Sequence, residues 1–217
     1  MSRMKVELTW VTPNAEEMIV KMSRVSAPKN QDNMETAPKL LRYLIKHKHW
    51  SPFEMANMCV EIHTNRSISP QILRHRSFSF QEFSQRYADT RELGSAHIPH
   101  LRRQDNKNRQ NSTDDLAETL GADKLASLYR RTSQLFEEAE HLYQEMVSFG
   151  VAKECARMVL PLNTPTSLFM NGTIRSWIHY LQLRCDPKTQ LEHQEIAERI
   201  KHLFCQRFPI IGEAAFQ

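Results

Sequence analysis

MANMCVEIHT, residues 55–64, sets Met58, Val60 and Ile62 against Asn57, Glu61 and His63. A period of two marks a strand with one buried face. Helical spacing closes on this strand from both sides, and that combination decides the fold class. Upstream, the turn Trp50-Ser51-Pro52-Phe53 ends a helix predicted from about Thr36 to His47, with Leu40, Leu41, Leu44 and Ile45 inward and Pro38 tolerated in its first turn. Further back, Met18, Ile19, Met22 and Val25 recur at helical spacing after Pro13 and Asn14. Val6, Leu8 and Trp10 alternate with Lys5, Glu7 and Thr9 as a first strand. Downstream, Ser69-Pro70 supplies an N-cap and first-turn proline for a short helix predicted through Ile72 and Leu73 to about Arg76.

Beyond it, Pro99 to Asp115 contains HLRRQDNKNRQNSTDD, with almost no large apolar side chain to offset ordering entropy, so a mobile loop is expected there. Leu125, Leu128, Tyr129, Leu135, Phe136, Leu142, Tyr143 and Met146 then mark a long helix that Gly150 terminates. A short helix at about Ala152 to Val159 and a strand at Thr166–Met170 follow, with Pro161 and Pro165 bracketing the loop between them. Ile174, Trp177, Ile178 and Leu181 place a helix from about Thr173 to Arg184, and Leu191, Ile196, Ile200, Leu203 and Phe204 place the last one before Pro209. The expected fold is α+β, a mixed α/β chain with a small antiparallel-type sheet packed against several long helices, as one domain over residues 1–217.

The composition, 40% hydrophobic and 25% charged over 217 residues, is that of a globular chain. Its five glycines, Gly94, Gly121, Gly150, Gly172 and Gly212, are scattered, which excludes a dinucleotide fingerprint or a P-loop, since both need clustered glycines for backbone to approach phosphate. Any nucleotide must therefore be gripped by side chains. The 29 basic residues, 18 of them Arg, suit bidentate recognition of phosphate, while a net charge of +4 is compatible with anionic partners but fits ordinary surface better than a nucleic-acid footprint. Cys59, Cys155, Cys185 and Cys205 form no metal-ligand spacing, and the opening MSRMKVELTW has no apolar signal core, so a cytoplasmic location is expected. No apolar run approaches the roughly 18 residues of a membrane helix.

The densest polar cluster is Arg74-His75-Arg76-Ser77-Phe78-Ser79-Phe80-Gln81-Glu82-Phe83-Ser84-Gln85-Arg86-Tyr87. It reads either as a solvated basic helix followed by a loop with tucked aromatics, or as an anion site in which guanidinium and hydroxyl groups supply the phosphate donors. A binder of RNA or single strands, with stacking aromatics, is the competing class. Upstream, His47-Lys48-His49 lacks a carboxylate or Cys partner, so no metal site is expected. Arg175 and His179 share a helix face at i and i+4, and Glu154 and Arg157 are spaced for an intrahelical pair. No GxSxG, HExxH or Walker pattern is present.

Arg74-His75-Arg76, seven residues, then Ser84 and Arg86, resembles the RHR-x7-S signature of the flavin-dependent thymidylate synthases without a mismatch. Ser23-Arg-Val-Ser26, His49-Trp-Ser-Pro-Phe-Glu54, Glu154-Cys-Ala-Arg157 with Leu160-Pro-Leu-Asn163, and Ile174-Arg-Ser through Leu183-Arg184 are similar to the family's other blocks, in order, over about residues 20 to 205. The resemblance implies methylation of dUMP to dTMP, with methylenetetrahydrofolate as carbon donor and FAD, reduced by NADPH, as hydride carrier. It implies a homotetramer with active sites at subunit junctions, and neither a nucleic-acid nor a membrane partner. Carried across, it places Gln71, Ile72, Leu73, Arg74, Glu82, Phe83, Ser84, Gln85, Arg86 and Arg157 on dUMP. Ser51, Arg74, His75, Arg76, Glu82, Thr173, Ile174, Arg175 and His179 are placed on FAD. Arg184 matches the arginine that favours the N3-deprotonated uracil, a catalytic role that needs no cysteine nucleophile. Gln81, Thr173 and Met55 stand where the family more often has Asn, Asn and His.

Overall fold

The computed structural model describes residues 4–216. Its main sheet is small and antiparallel, with four strands in the order β1 (Lys5–Val11), β2 (Asn57–Asn65), β6 (Pro165–Thr173) and β3 (Phe78–Glu82). The chain forms two compact units, one gathering His63–Ile72 and Glu82–Leu168, the other Lys5–Ile62, Leu73–Gln81 and residues 169–216. Strands β2, β3 and β6 run from one into the other along the chain.

The sheet-bearing unit adds helices α1 (Ala15–Ser23), α2 (Ala37–Lys46), α7 (Ile174–Arg184), α8 (Leu191–Arg207) and α9 (Pro209–Phe216). Its core is formed where the alternating strands and periodic helices present apolar faces: Ile19, Leu41, Phe53, Met58, Trp177, Ile178, Ile196, Ile200 and Phe204 are fully buried. The Trp177 indole N–H donates to the Met58 carbonyl at 2.9 Å, which ties α7 to β2 and satisfies the one polar atom of a buried ring. Arg24, also buried, has no carboxylate partner among the described residues; its guanidinium donates to the carbonyls of Asn30 and Asn33 and to Thr36 Oγ1, knitting the loop between α1 and α2.

The other unit holds most of α3 (Ser69–Leu73), a hairpin of β4 (Arg103–Gln104) and β5 (Ser112–Thr113), α4 (Leu116–Leu120), the 27-residue α5 (Ala122–Ser148) and α6 (Lys153–Ala156), which runs into a 3-10 turn at Arg157–Val159. Helix α5 ends as expected at Gly150, whose φ of 82° lets its N–H and that of Val151 bond back to Val147 and Met146.

Four local expectations change. The short helix stops at Leu73 rather than Arg76, leaving Arg74-His75-Arg76 as a connection into β3. That strand lies inside the polar cluster, where Phe78 is buried and Ser79 and Gln81 are exposed, a period of two hidden by the Arg and Ser around it. Pro209 begins a further helix instead of closing the last one, since proline fits the first helical turn. The polar stretch 99–115 carries the β4–β5 hairpin, whose register pairs Arg103 with Thr113 and Gln104 with Ser112. Polar side chains hold it in place of apolar burial: Asp105 accepts from the Lys107 and Asn108 N–H groups, Gln104 Nε2 donates to the Arg109 and Asn111 carbonyls, and Arg103 pairs with Asp115.

Candidate active site

In the sheet-bearing unit α3 ends at Leu73, and Arg74, His75 and Arg76 follow in a turn into β3, closed by the Phe78 N–H donating to the His75 carbonyl. Arg74 and Arg76 are exposed, and neither has a hydrogen-bond or ion-pair partner among the described residues. His75 points the other way, edge-on to Tyr180 at 4.8 Å and to Phe78 at 6.4 Å. Its Nε2 accepts a hydrogen bond from Arg184 Nε at 2.9 Å. An accepting Nε2 requires a neutral ring with its proton on Nδ1. Burial, then the Arg184 charge, lowers the His75 pKa to about 4. Behind it, fully buried His193 bonds Tyr180 Oη at 3.0 Å and is lowered to about 3 by burial, then by the Arg184 charge and the neighbouring His75 ring. Arg184, in the last turn of α7, is thus oriented by an uncharged acceptor and keeps its full positive charge.

Thr173 caps the start of α7, its Oγ1 accepting the Ser176 N–H at 3.2 Å. Thr does here the capping that Asn would do. Ile174 is buried and its N–H donates to the Ala56 carbonyl, fixing the helix start against β2. Arg175 forms an ion pair with Glu54 at the end of the Ser51–Glu54 turn. The exposed His179 ring meets Trp50 edge-on at 4.7 Å, and burial followed by the Arg175 charge lowers its pKa. Ser51, Arg175 and His179 thereby come from two segments that pack on each other. His47 and His49 gather around Tyr43 at 4.2 and 5.9 Å.

In the other unit Gln71 and buried Ile72 sit on α3, and Glu82 ends β3. Both Glu82 oxygens are engaged, with Arg66 Nη1 at 2.7 Å and Thr166 Oγ1 at 3.0 Å. Arg66 and Thr166 are positions that sequence reading did not single out; a basic residue just past the strand Met55–Thr64 was the available signal for the first. Phe83 N–H donates to the Ser167 carbonyl, Ser84 turns the chain by accepting the Tyr87 and Ala88 N–H groups, and Gln85 is buried with its Nε2 unpartnered. Arg86 reaches Glu154 at 3.2 Å. The expected Glu154–Arg157 pair is therefore not the one formed: α6 ends at Ala156, and Arg157 opens the 3-10 turn, half-buried and without an ion-pair partner among the described residues.

In one unit, half-buried Arg157 and the buried, unpartnered Gln85 amide are donors that a hydrogen-bonding, anionic ligand would satisfy; in the other, the exposed Arg74 and Arg76 guanidiniums are solvated and open to an anion. Burial pushes the Cys185 thiol up to about 12 and raises those of Cys59 and Cys205, which leaves them protonated and weakly nucleophilic.

The family model of the thymidylate synthase complementing protein matches residues 7–210. The chain belongs to that family. A "Probable flavin-dependent thymidylate synthase" of Paramecium bursaria Chlorella virus 1 is 49% identical over 200 residues, covering 92% of this chain and 90% of its own. The flavin-dependent thymidylate synthase of a Synechocystis species is 48% identical, covering 92% and 88%. Among solved structures, a UMP/dUMP methylase, PolB, from Streptomyces cacaoi, bound with 5-Br dUMP, superposes with a TM-score of 0.85 at 26% identity over 99% of this chain and 95% of its own. No described helix is long and apolar enough to cross a membrane.

Proposed function

We propose that this chain is a flavin-dependent thymidylate synthase that methylates dUMP to dTMP, taking the carbon from methylenetetrahydrofolate and the hydride from FAD reduced by NADPH. The observation that carries the reading is the Arg184–His75 hydrogen bond, set in an intact RHR-x7-S block of a member of this family. Arg184 would stand at uracil N3, where a guanidinium stabilises the ring anion and raises electron density at the carbon to be methylated. A carboxylate acceptor would orient Arg184 equally well but cancel much of its charge. Neutral His75 orients it and leaves the charge for the substrate.

The remaining donors divide by chemistry. By the resemblance, Arg157, Ser84, Arg86 and Gln85 would hold the dUMP phosphate and base, Gln71, Ile72, Leu73, Arg74 and Phe83 are also assigned to dUMP, and Glu82, fixed by Arg66 and Thr166, would supply an oriented carboxylate. The residues fit FAD: Arg74 and Arg76 offer free guanidiniums to its pyrophosphate, and the capped start of α7 with Thr173, Ile174 and Arg175 offers further donors. Ser51, His75 and His179 join that set, and the resemblance assigns Glu82 to both ligands. When bound, FAD supplies the hydride that completes the methyl group. Protonated thiols at Cys59, Cys185 and Cys205 support a route without a covalent cysteine. The resemblance further carries assembly as a homotetramer with sites at subunit junctions, and the four free cysteines favour a reducing cytoplasm.

The test is direct. Purified protein should be yellow or bind FAD on addition, and should form dTMP from dUMP only with methylenetetrahydrofolate and NADPH present. Colourless protein that cannot be loaded with FAD, and that binds oligonucleotides with a steep salt dependence, would overturn the reading in favour of a nucleic-acid binder.

A further inference from the structure

Helix α5 has two apolar faces. One, with Tyr129, Phe136 and Tyr143, is turned to its own unit: Tyr143 is buried, and the other two are half-buried. The second is left largely open by the described residues. Leu128, Leu135, Leu142 and Phe149 are 41%, 66%, 43% and 78% exposed, and they recur every seventh residue. Half-buried Leu125, Thr132, Ala139 and Met146 precede each of them by three. This is the a/d seam of a heptad repeat carried through the whole helix. Even the one polar member fits, because the Thr132 hydroxyl donates back to the Leu128 carbonyl and leaves its methyl on the seam. An exposed apolar stripe about 30 Å long on a soluble chain marks an interface.

The charges beside the seam choose its partner. The flanking position just before each a residue is Lys124 and Arg131 in the first half of the helix, then Glu138 and Glu145 in the second. All four are exposed, with no side-chain ion pair among the described residues. Basic first and acidic second is the pattern that a two-fold axis makes self-complementary. An axis passing α5 near Ser133 and Gln134 sets Leu125 opposite Leu142 of the other copy, Leu128 opposite Ala139, and Thr132 opposite Leu135. The same register brings Lys124 to Glu145 and Arg131 to Glu138, each twice, because flanking positions of this kind meet one another in antiparallel coiled coils. The ion pairs choose this alignment among those that the seam allows; it pairs Leu125 through Leu142 and leaves Met146 and Phe149 beyond the paired layers.

We infer that α5 pairs antiparallel with α5 of a second copy of this chain, about a two-fold axis near Ser133 and Gln134. This inference rests on the homo-oligomeric part of the reading above and adds its surface and register.

Two measurements on the full-length protein test it. Zero-length carbodiimide coupling followed by mass spectrometry should yield a Lys124–Glu145 link. Those residues lie about 30 Å apart along one rigid helix, so the link can only form between copies. In sedimentation, Arg131→Glu and Glu138→Arg should each weaken association at least tenfold, and the double variant R131E/E138R should return it to within about threefold of the parent. Unchanged circular dichroism would show that these exposed substitutions leave the fold intact. An oligomer that lacks the Lys124–Glu145 link and ignores both single variants overturns the α5 register while leaving homo-oligomerisation standing. A chain that stays monomeric at tens of micromolar overturns both. Whether dTMP forms is read separately, so neither result is confused with failure of the enzymatic assignment.

Discussion

Gly172→Ala is the sharpest probe of how the signature strand is held. Gly172 lies in β6 beside β3, with an extended backbone that alanine can adopt, so its substitution tests contact rather than conformation. A Cβ there would come within 2.5 Å of Phe78 Cε1 and closer still to Cδ1. Ordinary carbon contacts lie near 3.5–4.0 Å, so the ring would have to retreat by about 1 Å. It has little room. Phe78 is 8% exposed and packs edge-on against Trp177 at 4.7 Å and Tyr180 at 5.8 Å, with Phe80 at 6.2 Å. Overpacking of this kind costs about 1–3 kcal/mol. Phe78→Leu alone should also destabilise, through the space it opens. Together the two changes should be less than additive by about 1–2 kcal/mol, because the leucine vacates the volume that alanine needs. Urea unfolding of the four proteins at one concentration, followed by circular dichroism, measures the cycle. Since Phe78 also abuts His75, Gly172→Ala should lower the rate of dTMP formation, and the double variant should recover part of it. A Gly172→Ala protein within about 0.3 kcal/mol of the parent, or strict additivity in the cycle, would refute the reasoning.

Three further outcomes are expected. Arg184→Ala should cut turnover by about 10²–10³-fold, the usual loss on removing an electrostatic donor to a developing anion, with the protein still folded; near-normal dTMP formation would remove Arg184 from its role. His75 and His193 titrate near 6.5 when unfolded and are lowered to about 4 and about 3 when folded, so the unfolded chain binds more protons in acid. Their contribution is complete above about pH 6.5 and is lost as pH falls toward 4 and then 3, each histidine adding up to about 1.4 kcal/mol per pH unit to the slope. His193→Phe should flatten that profile, and a curve superimposable on the parent's would contradict the assignment. Replacing each of Cys59, Cys155, Cys185 and Cys205 by Ser should leave measurable activity, whereas a folded variant with none would point to a covalent thiol.

Much of the fold was legible because periodicity is local. The strand around Met58, Val60 and Ile62 and the helix ending at Gly150 follow from side chains a few positions apart, and the structure places both as expected. Strand β3 was not legible in the same way. Its two phenylalanines alternate with Ser79 and Gln81, but the Arg-rich approach suggests a basic helix, and only pairing with β6 decides otherwise. The candidate site divides along the same line. Its residue types could be read from one segment at a time, whereas Arg184 and His75 are 109 positions apart, and Glu54 and Arg175 are 121 apart. No spacing rule reaches across such gaps, so Glu154 was matched with nearby Arg157 when its partner is Arg86. The least legible feature concerns protonation. A histidine between two arginines in sequence looks like one more cation. Burial against Tyr180, with the Arg184 charge beside it, makes His75 neutral instead, and only a neutral ring can accept the hydrogen bond that aims Arg184 without spending its charge.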